Sequence, residues 1–254
     1  MVYIFRRAAS NSARELAEAL QVNCRRLNDL GRAHFGTGVR AGDSVVCWGE
    51  SLAPVEGVRI LNGAVIQNKF ADARMLQDAR VPTVEVSATP PPPRIPPRLT
   101  VAGGSFSQEQ ARALIETLQQ FSRLPPATQE TWLPRRFNHV GGADLLHPPA
   151  QPDYFSKKEN IVEEYRVHLF NGKSIRAGKK VPREGVARPH EWIRSLNSGW
   201  SIRYDDFHSK QSMRELATAA CTALGLNFGA VDIGKRADRS LIVLEVNRGP
   251  GLEG

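Results

Sequence analysis

A chain of 254 residues with 41% hydrophobic residues is long enough to bury a sizeable core, as one large domain or as two or three small lobes around a cleft. Lys+Arg 34 against Asp+Glu 26 gives a net charge of +8, which favours anionic partners such as nucleotides, nucleic acid, acidic peptides or a phospholipid surface. Cys24, Cys47 and Cys221 are an odd number, widely separated and without a C-x-x-C pair, so neither a disulfide framework nor a zinc site is suggested, and no run of about 18 apolar residues offers a membrane span; a reduced, cytoplasmic protein is the expectation.

In chain order, Val2 to Phe5 reads as a short buried strand, and Asn11 to Gln21 repeats apolar positions at helical spacing behind a Ser/Asn cap. Asp43 to Trp48 and Val58 to Leu61 offer further strands, and Lys69 to Asp78 returns to helical spacing. An α/β lobe over residues 1–86 follows. The run S-A-T-P-P-P-P-R-I-P-P-R, residues 87 to 98, lacks N–H donors and fixes φ, which favours extended polyproline geometry. It reads as a linker or surface strap, with a docking ligand for an aromatic groove as the alternative. Ser107 to Arg123 predicts an amphipathic helix, making 87–130 a Pro-rich linker with an inserted helix.

Beyond it, residues 131–137, 164–170 and 174–181 partly alternate apolar and polar side chains and predict strands. Asn171-Gly172 supplies the positive φ angles of a hairpin turn. Met213 to Leu224 reads as a helix ending at Gly225, and F-G-A-V-D-I (228–233) and S-L-I-V-L-E-V-N (240–247) flank a charged turn. Residues 131–254 therefore predict an α+β region built on antiparallel sheet.

The strongest chemical signal lies in that last hairpin. Glu245 and Asn247 are two apart on a strand and share a face, and antiparallel pairing can bring Asp232 onto it. Two carboxylates and an amide among apolar strands suit a hard cation, and with neither Cys nor His nearby that cation is magnesium. The plain alternative is a solvated polar face on an amphipathic hairpin. Gly141-Gly142 is a turn signal, and Arg135-Arg136 and Lys179-Lys180 are surface cation pairs or phosphate ligands. His34, His139, His147, His168, His190 and His208 share no metal-ligand spacing, and only His139, beside the glycines, is a candidate for a ligand site. Neither G-x-x-x-x-G-K-[ST] nor G-x-G-x-x-G occurs, which removes the main support for P-loop and Rossmann readings.

G-L-N-F-G-A-V-D-I followed by V-L-E-V-N-R-G-P-G-L-E-G resembles the closing motif of ATP-grasp ligases, particularly glutamate ligases acting on ribosomal protein and related proteins of tailed phages. The resemblance extends over about residues 60–86 and 131–254. It implies the ATP-grasp fold, two α+β lobes clasping Mg-ATP between antiparallel sheets, with Asp232, Glu245 and Asn247 as magnesium ligands. E-E-Y-R-V-H-L-F-N-G-K resembles the strand leaving the nucleotide hinge, which makes Glu164 the ribose ligand and Arg166 a catalytic cation. The hinge itself would be Tyr154 to Ile161, with the backbone at Phe155 and Ser156 meeting adenine. Q-N-K-F-A-D-A-R-M-L-Q-D-A-R-V-P-T, with Asn68 and Arg80 departing from the family pattern, puts Lys69 forward as a phosphate ligand. W-L-P-R-R-F-N-H-V-G-G-A-D-L stands where the family has a basic strand and a small-residue phosphate loop, so Arg135 or Arg136 replaces the usual lysine and Gly141 and Gly142 cover the phosphates. Lys180 and, in I-R-S-L-N-S-G-W, Arg194 and Asn197 occupy places that face the transferred phosphoryl group or the acceptor.

The activity so implied is an ATP-dependent carboxylate-amine or carboxylate-thiol ligation through an acyl phosphate. ATP is then a partner, together with a carboxylate and an amine acceptor drawn from small molecules, peptides or modified nucleic acid. A nucleic-acid-binding protein with this core and a noncatalytic nucleotide-binding module are the competing readings.

Overall fold

The computed structural model describes residues 1–6, 10–26, 39–49, 51–63, 68–90, 112, 132–137, 143–146, 148–188, 192–204 and 210–252. The first lobe holds β1 (Val2–Arg6), α1 (Asn11–Ala19), β2 (Asn23–Arg26), β3 (Ser44–Trp48) and β4 (Arg59–Leu61). Its four-stranded sheet is parallel, in the order β2-β1-β3-β4. Parallel strands are covered on both faces and so read as apolar runs: Ile4, Val45 and Cys47 are fully buried. Ser10 caps α1, its Oγ accepting from the Ala13 N–H at 3.2 Å. Strand β2 was not among the elements expected from the sequence.

The chain continues with α2 (Lys69–Asp78), β5 (Val86–Ser87), β6 (Trp132–Arg135), α3 (Ala143–Leu146) and β7 (Tyr154–Lys157). The three strands form an antiparallel sheet in the order β5-β7-β6. After it come β8 (Ile161–Phe170), β9 (Lys173–Pro182), β10 (Trp200–Arg203), α4 (Gln211–Ala223), β11 (Phe228–Arg236) and β12 (Leu241–Asn247). They build a five-stranded antiparallel sheet, β10-β9-β8-β11-β12. The β8–β9 hairpin turns on Asn171 and Gly172, at φ 46° and 72°.

One face of the five-stranded sheet is apolar. Val167, Leu169, Val231, Ile233 and Val243 pack against Met213, Ala217 and Ala220 of α4 and Leu224 just after it, and Leu76 of α2 joins the same core. Helix α2 and strand β5 thus pack with the later sheets, although they fall within the stretch the sequence assigns to the first lobe. Of the helix expected at 107–123 only Arg112 is described, and it is helical. The Pro-rich run from 91 onward lies outside the described residues. No described helix is long and apolar enough to cross a membrane.

The first lobe is fastened to the edge of the five-stranded sheet. Trp48 stacks on Phe228 with ring centroids 5.2 Å apart. Gly49 and Gly249 meet backbone to backbone, and a Cβ on Gly249 would lie 2.7 Å from the Gly49 nitrogen. Asn62, 3% exposed and at φ 55°, accepts at Oδ1 from the Asn227 and Phe228 N–H groups (2.7 and 3.1 Å) and donates from Nδ2 to the Phe228 carbonyl at 2.7 Å. Asparagine tolerates that left-handed backbone better than most residues do. Asn62→Ala leaves buried donors and an acceptor unpaired, each costing about 1–3 kcal/mol. Urea unfolding of the variant should show a loss of at least that size.

Candidate active site

The opposite face of the five-stranded sheet is polar, and strand register arranges it in rows. Side chains alternate along a strand, so Ala230, Asp232 and Gly234 of β11 point to one face and Val231 and Ile233 to the core. Asp232 stands opposite Arg166 on β8 and Glu245 on β12, and Arg166 stands opposite Gly178 on β9. The next row places Arg176, His168, Ala230 and Asn247 across the same strands. Between Asp232 and Ile233 the register with β12 shifts, pairing Ile233 with Val243 and leaving Leu244 over. This bulge lets Val243 face the core while Glu245 and Asn247 face the polar side.

Asp232 is the centre of a buried charge network. Its side chain accepts two hydrogen bonds from Arg166, Nε to Oδ1 at 2.7 Å and Nη2 to Oδ2 at 2.9 Å, the fork-on-fork geometry that only arginine offers. Lys180 Nζ reaches Oδ2 at 3.3 Å and also pairs with Glu164. Burial works to raise the Asp232 carboxyl, but Lys180 and Arg166 outweigh it and hold it below the usual carboxylate range. Burial likewise opposes the Lys180 ammonium, yet Asp232 and Glu164 keep it above its ordinary value. Both groups are therefore charged at neutral pH. Lys69, from the first turn of α2, reaches Glu245 Oε2 at 3.0 Å, and Arg248 holds Asp72 of the same helix at 2.6 Å. Helix α2 is thereby pinned over the β12 end of the face.

The donor set suits a hard divalent cation. Asp232 and Glu245 supply carboxylate oxygens and Asn247 an amide oxygen on the adjoining row, while the buried Asn247 Nδ2, a donor, has no hydrogen-bond partner among the described residues. Among the described residues no three His, Cys, Asp or Glu side chains cluster as a metal site, so the third oxygen would have to come from the amide.

Other expected residues lie elsewhere. Arg135 donates from Nε to Asp144 Oδ2 of α3 at 2.7 Å and from Nη1 to Ser156 Oγ at 3.4 Å. Arg136 is exposed, and its backbone N–H meets the same carboxylate at 3.4 Å. Gly141 and Gly142, just before α3, lie outside the described residues. Phe155 and Ser156 sit inside β7 with β5 and β6 on either side. Both residues pair within that sheet, and the unpaired connection to β8 is 158–160. Arg194 Nη2 donates to the Ile161 and Val162 carbonyls at 3.1 and 3.2 Å, with its guanidinium 5.2 Å from the Trp200 ring centroid. Asn197 is exposed on a single 3-10 turn. Among the described residues, no hydrogen bond or ion pair joins either of them to Asp232, Glu245 or Asn247.

His168 is the residue that the sequence reading missed, and the signal for it was its parity with Arg166 on an alternating strand. It is 3% exposed, and its Nε2 lies 2.9 Å from the Tyr204 hydroxyl. Burial, with Arg166 and Arg176 nearby, pushes the ring down to about 4, so it is neutral at pH 7. The other five histidines lie outside the described residues.

Solved structures share the fold that carries this face. The ATP-grasp ligase PsnB complexed with its minimal precursor superposes with a TM-score of 0.56 at 14% identity, covering 98% of this chain and 90% of that one. D-cycloserine synthetase DcsG gives 0.55 at 16%, covering 99% and 92%. The D-alanine–D-alanine ligase of Bacillus anthracis complexed with ATP gives 0.52 at 11%, covering 98% and 86%. The chain has the ATP-grasp fold. In sequence it is 38% identical over 99 residues to a probable alpha-L-glutamate ligase of Serratia proteamaculans, and 33% over 106 residues to one of Coxiella burnetii. These alignments cover 37% and 40% of this chain, which spans about a third of the length of either relative, 32% and 34%. No family model matches the chain. Set within the ATP-grasp fold, the polar face is the sheet surface that bears Asp232, Glu245 and Asn247.

Proposed function

We propose that this protein is an ATP-dependent ligase joining a carboxylate to an amine, with L-glutamate as the amine substrate. The observation that carries the reading is the convergence of Asp232, Glu245 and Asn247 on one sheet face, with Lys69, Arg166 and Lys180 on the two carboxylates. The ATP-grasp fold supports it, as does the likeness to proteins named alpha-L-glutamate ligases. In the reaction a substrate carboxylate attacks the γ-phosphorus of ATP and ADP leaves. The amine then displaces phosphate from the acyl phosphate and loses a proton, giving an amide.

Nothing in this sequence of steps needs a covalent nucleophile from the protein. The chain's contribution is alignment and charge. Asp232, Glu245 and Asn247 would hold magnesium, which when bound supplies positive charge against the triphosphate. Arg166 and Lys180, already paired to Asp232, are placed to turn from that carboxylate toward phosphate oxygens. Lys69 does the same from α2, and Glu164, two residues before Arg166 on β8 and opposite Gly234, would meet the ribose. Arg135, held by Asp144 at the start of α3, would offer charge to the phosphates.

The experiment is a screen of amino acids and peptides with Mg-ATP, reading ADP and phosphate. Release should require ATP, magnesium, a carboxylate substrate and L-glutamate together. If ADP forms at the same slow rate whatever is added, or if the protein binds no Mg-nucleotide, the ligase reading is wrong.

A further inference from the structure

The row next to the metal-ligand row carries a charge that the steps above do not use. Arg176 is exposed on β9, opposite His168, with its guanidinium carbon 3.7 Å from the centroid of the Tyr204 ring and one N–H donated to the Leu252 carbonyl at 3.2 Å. Among the described residues it has no carboxylate partner, whereas Arg166, Lys180 and Lys69 on the same face each have one. Its position is nonetheless fixed. The Tyr204 ring holds the guanidinium from one side and touches His168 through its hydroxyl, and Leu252 fastens the other end.

Gly178 makes room for this. A Cβ there would lie 2.8 Å from Tyr204 Cδ1 and 2.6 Å from Ile202 Cγ2, so any larger residue would lift the tyrosine off the sheet. Two residues along a strand separate this row from that of Arg166 and Asp232, roughly 6.6 Å. His168, neutral at pH 7, brings a hydrogen-bonding nitrogen and no charge, which leaves Arg176 as the cation of the row.

A held guanidinium with no carboxylate partner among the described residues, one row from the proposed phosphate site, fits a carboxylate on a small substrate whose reacting group lies at Asp232 and Glu245. We propose that Arg176, positioned by Tyr204 and bordered by His168, binds the α-carboxylate of the amino-acid acceptor and thereby selects amines with a carboxylate on the carbon that bears the amine. This rests on the ligase reading given above.

The test is equilibrium binding to the full chain saturated with magnesium and the non-hydrolysable ATP analogue AMP-PNP, using L-glutamate and 4-aminobutyrate, its counterpart without the α-carboxylate. The wild type should prefer L-glutamate. Arg176→Gln should weaken L-glutamate by about ten- to a hundredfold, the worth of one charge-assisted pair. It should leave 4-aminobutyrate and AMP-PNP within about twofold, and Arg176→Lys should recover part of the loss. Thermal melting of each variant separates this from unfolding, to which an exposed side chain contributes little. Equal affinity of wild type and Arg176→Gln for L-glutamate, or no carboxylate-dependent binding by the wild type, overturns the subsite while the ligase reading stands. Failure to bind AMP-PNP at all would overturn both, and the nucleotide titration reports that separately.

Discussion

Asp232→Asn is expected to destabilise the ligand-free protein by about 3–5 kcal/mol, the usual result of removing one partner from a buried ion pair. Asp232 is 5% exposed and compensates Arg166 and Lys180 together, whose side chains are 19% and 11% exposed. An amide keeps the shape but not the charge, so two cations would face each other across β8 and β9 with only Glu164 between them. Urea unfolding would show the loss, and Lys180→Met in the same chain should restore part of it by removing one of the stranded cations. Wild-type stability in Asp232→Asn would mean that the network does not hold this face together.

Glu245→Gln should behave in the opposite way, folding normally and losing turnover. Its side chain is 35% exposed and its one described ion pair, with Lys69, is of the partly solvated kind worth about 0–1 kcal/mol. Its proposed role is at the phosphates, where loss of one charge that stabilises the transition state costs about a hundred- to a thousandfold in rate. ADP release measured beside a thermal melt distinguishes the two effects. A variant with near-native turnover would remove Glu245 from the metal set.

The long alternating strands β8, β9, β11 and β12 were legible in the sequence because each carries one apolar face at period two and is bounded by Gly or Asn turns. The same alternation put Glu245 and Asn247 on one face, and the hairpin around Lys235 to Arg239 brought Asp232 to them. The bulge at Leu244 was not legible, since nothing in V-L-E-V-N marks an extra residue. Strands β2, β5 and β10 are two to four residues long and show no run of alternating apolar residues of the kind that marked the longer strands. Tyr154 to Lys157 is a strand within the stretch that the resemblance assigns to the hinge, and its four residues alone give too little pattern to separate the two. Pro134 sits within β6, where an edge position spares the missing N–H. The ties of Arg135 to Asp144 and of Lys69 to Glu245 depend on tertiary packing, and residue type alone did not favour them over a solvated surface. The row of His168 and Arg176 needed the β8–β9 register, which a strand pattern by itself does not give.

The most direct measurement is a crystal structure with ADP and manganese in place of magnesium, collected at a wavelength where manganese scatters anomalously. The metal peak should lie within coordination distance of Asp232, Glu245 and Asn247, with the diphosphate beside it and the ribose near Glu164. A manganese peak away from these three side chains, or a nucleotide bound off the polar face of the five-stranded sheet, would contradict the assignment.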